Sequence, residues 1–216
     1  METILFSACT KSILKDIFGL KQRWESPILN TWLERAQSMM LEDYEVKMLQ
    51  TLQKTLIRRC DDWNEAELNE YFIGPIIALV NFNTEYFCVF SERPIEAEIG
   101  EYKLTGKPDL MVAQGESSPK IPYFCFSEYK KQIAPDGNPV YQALGEMLAA
   151  RELNPSAPYP VYGVGVMGKQ WQFLVLQGQD YCVSKSFSTD DEEIVDVVKT
   201  LKALKEILLD IAKSNG

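Results

Sequence analysis

The sequence predicts an α/β fold with a mixed central sheet, and three observations carry that expectation. Apolar residues recur at three- and four-residue spacing as far as about residue 80, then give way to short runs and alternations. The runs follow the order helices, then α-β-β-β-α-β, a β-hairpin and a closing helix, which leads to a sheet with helices on its faces. The 216 residues, 46% of them hydrophobic, suit one core of moderate size, and no internal repeat, low-complexity tract or flexible linker divides them. Two regions are expected: a helical N-terminal extension at 1–60, packed on the core, and a core domain at 61–216.

The extension reads as helical throughout. Ile4, Leu5, Ile13, Leu14, Ile17, Phe18 and Leu20 suggest a first helix. Ser26 and Pro27 open a second, as N-cap and first helical residue. Tyr44, Met48, Leu49, Leu52, Leu56 and Ile57 mark a third, whose other face carries Lys47, Lys54, Arg58 and Arg59. The next helix covers about 65–80. Asn64 and Glu67 have capping-box spacing, and Pro75 predicts a kink, or a boundary near Gly74.

Strands follow. They are expected at 86–90, over 94–103 as one extended run, at 110–113 and at 121–126. A turn at 135–139 leads to a helix at 141–153, which Pro155, Pro158 and Pro160 end. Residues 161–166, 171–176 and 181–187 read as strands, the last two joined at Gly178. Ser188 or Thr189 is the expected cap of a final helix to about Ile211.

Composition narrows the chemistry. The chain has no histidine, so proton transfer falls to Asp, Glu, Lys, Tyr, Cys or metal-bound water. Its five cysteines are far apart and form no CxxC pair, which argues for small core residues rather than a zinc site. A formal net charge of −9 opposes general binding of phosphate backbones, though not a local basic groove. No signal peptide and no run of membrane-spanning length is read, so a cytoplasmic location is expected.

The stretch from Gly106 to Lys131 carries the chemistry. Pro108-Asp109 precedes one strand, and Glu128-Tyr129-Lys130 ends the next. Side chains alternate along a strand, so Glu128 and Lys130 share a face, and pairing of the two strands brings Asp109 to it. Two carboxylates and an ammonium at one hairpin end can hold a divalent cation and orient a water. Taken singly, each has a plainer reading: turn chemistry for Pro108-Asp109, a surface charge pair for Glu128 and Lys130.

Gly106-Lys107-Pro108-Asp109 and Glu128-Tyr129-Lys130, set within an α-β-β-β-α-β order, resemble the PD-(D/E)xK nuclease superfamily, with its restriction-endonuclease-like fold. Asn64-Glu65-Ala66, Phe72-Ile73, Pro75-Ile76-Ile77 and Leu79 resemble the opening helix of the nuclease domain at the N-terminus of type I restriction enzyme R subunits. Gln142 resembles a glutamine of that group and of RecB-like nucleases. The likeness covers roughly 62–168, leaving the N-terminal extension, the added hairpin and the C-terminal helix outside it. It implies hydrolysis of DNA phosphodiester bonds with Mg²⁺ or Mn²⁺ held by Asp109 and Glu128, and Lys130 at the water. Glu65 would add a ligand, with Glu70 its competitor. Gln142 would bind substrate or position Lys130. A homodimer or partner subunits fit many members of this fold. A non-catalytic binding or interaction module of the same fold is the alternative.

Two further features are set aside. Glu96 and Glu98 read as a solvated strand face. Gly163, Gly165 and Gly168 with Lys169 spell GxGxxG-Lys, but a strand rather than a helix is expected after them, which speaks against a nucleotide loop.

Overall fold

The computed structural model of the chain describes residues 1–133, 136–154 and 159–214. The expected turn at Pro135 and the prolines Pro155 and Pro158 fall partly or wholly outside them. The protein is α/β. Its main sheet runs in the order β2 (Lys21–Arg23), β10 (Asp180–Val183), β9 (Gln170–Gln177), β8 (Val161–Met167), β7 (Lys120–Lys130), β6 (Leu110–Gln114) and β3 (Cys88–Ser91), and β11 (Phe187–Ser188) also pairs with β9. Strands β3, β6 and β7 form an antiparallel meander. Helix α6 (Pro139–Leu153) then carries the chain over to β8, which runs parallel to β7. Strands β9 and β10 continue antiparallel. A second, three-stranded sheet contains β1 (Glu2–Leu5), β5 (Tyr102–Gly106) and β4 (Ile95–Ile99).

Each face of the main sheet has its own apolar core. On one side Trp32, Leu49, Leu56, Phe72 and Ile76 meet Val112, Val164, Phe173 and Leu204, so this layer is built by α2 (Pro27–Gln37), α3 (Asp43–Arg59), the helical segment after residue 64 and α7 (Glu193–Ser214). On the other, Leu144, Met147 and Leu148 of α6 pack with Phe126, Met111, Leu104 and Ile4. Helix α6 thus lies between the two sheets and is buried nearly all round, with Glu146 and Gln142 among its buried residues.

The sequence suggests helix throughout residues 1–60, but the structure is only partly helical there. Helix α1 spans only Lys11–Asp16, while Ile4 and Leu5 lie in β1, parallel to β5. Strand β2 likewise joins β10. Both partners are distant in sequence, and a pairing of that kind leaves no trace in local spacing. Helices α2 and α3 follow the expected pattern. Trp32 Nε1 donates to the Thr200 carbonyl at 2.8 Å, and buried Glu45 accepts from Lys202 Nζ at 2.8 and 3.0 Å, so α7 holds both helices.

The expected helix at 65–80 is one helical path in three parts: α4 (Glu65–Leu68), a π turn (Asn69–Ile73) and α5 (Gly74–Val80). Proline at 75 has no amide hydrogen to give and would crowd the carbonyl four residues back. The wider turn relieves this, and the Gly74 amide bonds to the carbonyl of Asn69. The extended run predicted over 94–103 is in fact a hairpin. It reverses at Gly100, whose φ of +62° suits glycine. The strand predicted at 181–187 breaks around Ser184, whose hydroxyl takes the Phe173 amide at 3.0 Å. Neither Ser188 nor Thr189 caps α7. The helix begins at Glu193, where Asp191 Oδ1 accepts the Glu193 amide.

Glycines 163 and 165, the pair set aside as a nucleotide loop, have a packing role. Both lie in β8 under α6. A Cβ on Gly165 would sit 3.0 Å from Val140 Cγ2 and 3.1 Å from its backbone nitrogen, and one on Gly163 would sit 2.5 Å from Met147 Sδ. Their bare backbone lets α6 descend onto the sheet. Gly165→Ala must displace helix backbone and is expected to cost about 1–3 kcal/mol. Gly163→Ala needs mainly the flexible Met147 thioether to turn and is expected to cost less. Urea denaturation of the two variants checks that order, and equal or reversed losses contradict it.

Candidate functional site

The site grows from strand pairing. Leu110 of β6 faces Ser127 of β7, so Asp109, one residue earlier, lies beside Glu128. Asp109 Oδ2 accepts the Tyr129 amide at 2.7 Å, which fixes that carboxylate against the next strand. Along β7, Phe126, Glu128 and Lys130 turn toward α6, and Lys130 Nζ lies 3.0 Å from Glu128 Oε1. Glu65, at the first residue of α4, approaches the same ammonium at 3.7 Å with a side chain 43% exposed. Of the two acids weighed for this place, the structure brings in Glu65. Glu70 lies exposed on the π turn.

Gln142 lies on α6, 5% exposed, and its Oε1 has no hydrogen-bond partner. One turn further along the same helix is Glu146, which the sequence reading missed. It is 1% exposed, bonds to the Glu128 side chain, and leaves its Oε2 without a partner. A signal was available. Apolar residues surround α6 on every side, so an acid within it has no solvent face to occupy. Glu96 and Glu98 are exposed as expected, and Glu96 pairs with Lys103 at 2.8 Å.

The electrostatics follow from burial first and then from the count of charges. Four carboxylates, Glu65, Asp109, Glu128 and Glu146, share one ammonium in a largely buried setting. Burial first, then Glu128, push the Asp109 carboxyl up to about 7. Burial also raises Glu128, against the opposing pull of Lys130. Burial, then the charges of Glu128 and Asp109, hold Glu146 well above the usual carboxylate range. Burial alone would lower Lys130, but Glu128, Glu65 and Asp109 outweigh it and raise its pKa, so it stands as an ammonium and not as a ready base.

Cation fit can be judged on these atoms. Among the described residues no three Asp, Glu or Cys side chains form a ready-made cation cage. The donor set is nonetheless hard oxygen, in excess of its positive charge, and includes an orphaned carboxylate oxygen. Those are features that Mg²⁺ or Mn²⁺ would complement. A groove of about 630 Å³ between α3 and the start of α7 holds none of these acids, and the Gln53 amide within it is already bound to the Thr189 and Asp191 carbonyls. Neither a protein-family model nor a curated protein matches the chain in sequence.

The raised Asp109 pKa has a signed consequence for stability. Its pKa is 3.8 unperturbed and about 7 in the folded site. Between those values the folded state holds the extra proton, so stability falls as pH rises from about 4 to about 7, and the loss is complete above that window. Asn at this position still accepts the Tyr129 amide but never ionises. The melting temperature of Asp109→Asn relative to wild type, in chelator-treated buffer, is therefore expected to climb between about pH 4 and 7 and to level off above that. A difference that is constant with pH contradicts the burial of this charge.

Proposed function

We propose that the chain is a divalent-cation-dependent nuclease of the PD-(D/E)xK type, hydrolysing phosphodiester bonds of DNA. The observation that carries this reading is the meeting of Asp109, Glu128 and Lys130 at one end of the β6–β7 pair. The topology supports it too: helix, antiparallel meander, crossing helix and parallel strand, in the restriction-endonuclease-like order, with β4 and β5 as an insertion after the first strand. No helix among the described residues is long and apolar enough to cross a membrane.

In this reading Asp109 and Glu128 hold Mg²⁺ or Mn²⁺, while Glu65 faces Lys130 from the solvent side. The bound cation supplies a water of lowered pKa and offsets charge on the phosphate oxygens. The Tyr129 amide keeps Asp109 oriented toward Glu128. Lys130, a firm ammonium, donates to the attacking water or to a phosphate oxygen once it leaves Glu128, and stabilises charge that develops there. Gln142, on the helix opposite, offers its amide to substrate or to Lys130. Exposed Lys47, Lys54 and Arg58, on one side of α3 and without ion-pair partners among the described residues, offer the local positive charge that an acidic chain needs to meet DNA.

The net charge of −9 favours a second reading, a non-catalytic module of the same fold that binds a partner and cuts nothing. Cleavage assays separate the two. With Mg²⁺ or Mn²⁺ the wild type is expected to cut plasmid or linear DNA, and Asp109→Ala and Lys130→Ala each to lose about a hundredfold or more in rate. Activity that survives both substitutions overturns the site. A wild type that cuts neither DNA nor RNA leaves the binding module standing.

A further inference from the structure

Glu146 has no place in the reading so far, yet it is the most deeply buried acid of the site. Its position is fixed from two sides. Below it, Gly165 of β8 is the register partner of Glu128, so no side chain stands on that strand between Glu128 and α6. Beside it, Gly145 lies so close to the N-terminal segment that a Cβ there would meet Cys9 Sγ at 2.7 Å. The helix is therefore seated against the sheet and the chain start together, and Glu146 is delivered to the Glu128 carboxylate.

Burying an acid with one oxygen unpartnered is costly unless something completes it. Among the described residues no neighbouring donor does so. Lys130, the ammonium of the site, is engaged by Glu128 and Glu65. One turn before Glu146, the buried Gln142 Oε1 is orphaned as well. Two unpartnered acceptors on one helix stretch, beside paired carboxylates, describe a place that lacks a positive ligand. A hydrated divalent cation has both the charge and the demand for several hard oxygens that such a place would meet. Glu65 is poorly suited by comparison, since its side chain is 43% exposed and loses little by remaining in water.

We propose that Glu146, rather than Glu65, is the third carboxylate of the cation site, with Gln142 supplying a further acceptor on the same helix. This rests on the nuclease reading for Asp109 and Glu128, and extends it to a residue outside the Pro-Asp and Glu-x-Lys motifs. Helix α6 is then part of the cation site and more than a scaffold behind it. The occupant is a small divalent cation of the Mg²⁺ or Mn²⁺ kind.

Isothermal titration with Mn²⁺ alone, on wild type, Asp109→Asn, Glu146→Gln and Glu65→Gln, tests this without any cleavage assay. Glu146→Gln is expected to weaken Mn²⁺ binding at least about tenfold, and Glu65→Gln less than about threefold. Glu146→Gln keeps size and polarity and removes a buried acid, so it is expected to melt no lower than wild type in the absence of metal. If it fails to fold, Glu146→Asp gives the same information: it keeps the charge but shortens the reach, and is expected to lose affinity as well. Loss of binding in Asp109→Asn with wild-type binding in Glu146→Gln, or in Glu146→Asp where that is the folded variant, overturns the role of Glu146 and leaves the nuclease site intact. Absence of Mn²⁺ binding in the wild type overturns both.

Discussion

Four carboxylates sharing one ammonium beneath a helix is the constraint on which the rest of the site depends. In a medium of low polarity such a set is unstable unless charge is removed or added. The protein does some of each. Asp109 is held by the Tyr129 amide and Glu128 by Lys130, and burial raises the pKa values of Asp109, Glu128 and Glu146, with neighbouring carboxylates adding to the rise at Asp109 and Glu146. Lys130 gains correspondingly, and its proton is held more tightly than in water. In the reading proposed above, a divalent cation is the component that balances this set.

The fold holds the site together by close packing at its back. Strand β7 carries Glu128 and Lys130, β6 follows Asp109, and α6 bridges to β8 over two glycines. Were Gly165 any larger residue, the helix would ride higher and Glu146 would draw away from Glu128. The front is built differently. Glu65 sits at the first residue of α4, where the capping box of Asn64 and Glu67 fixes the helix start, and the π turn beyond it absorbs Pro75. The buried acids thus lie on sheet and packed helix, and the exposed one on a helix end.

The parts that could be read from the sequence are those whose cause is local. Glu128 and Lys130 share a face because strands alternate, and Asp109 meets them because the Gly115–Pro119 turn returns the chain. Helices α2, α3 and α6 declare themselves by caps and spacing. What could not be read depends on distant partners. Ile4 is a strand residue because β5 lies alongside it, and Lys21 to Arg23 are extended because β10 offers an edge. The hairpin at 95–106 was hidden because Gly100 follows an unbroken alternation, which continues on the returning strand. Glu146 was overlooked for another reason. In sequence an acid in a helix suggests solvent, and the signal against that was the apolar residues on every side of α6, which leave no face for water. Gly163 and Gly165 had the spacing of a phosphate loop and the role of a seat.

The central claim is that Asp109 and Glu128 form a cation site, and locating the cation tests it most directly. Crystals grown with Mn²⁺ and measured near the manganese absorption edge are expected to show an anomalous peak within roughly 2.0–2.6 Å of oxygens from both carboxylates, with Lys130 Nζ moved off Glu128. Ordered Asp109 and Glu128 side chains with no peak between them at saturating Mn²⁺, and Lys130 still bound to Glu128, would contradict it.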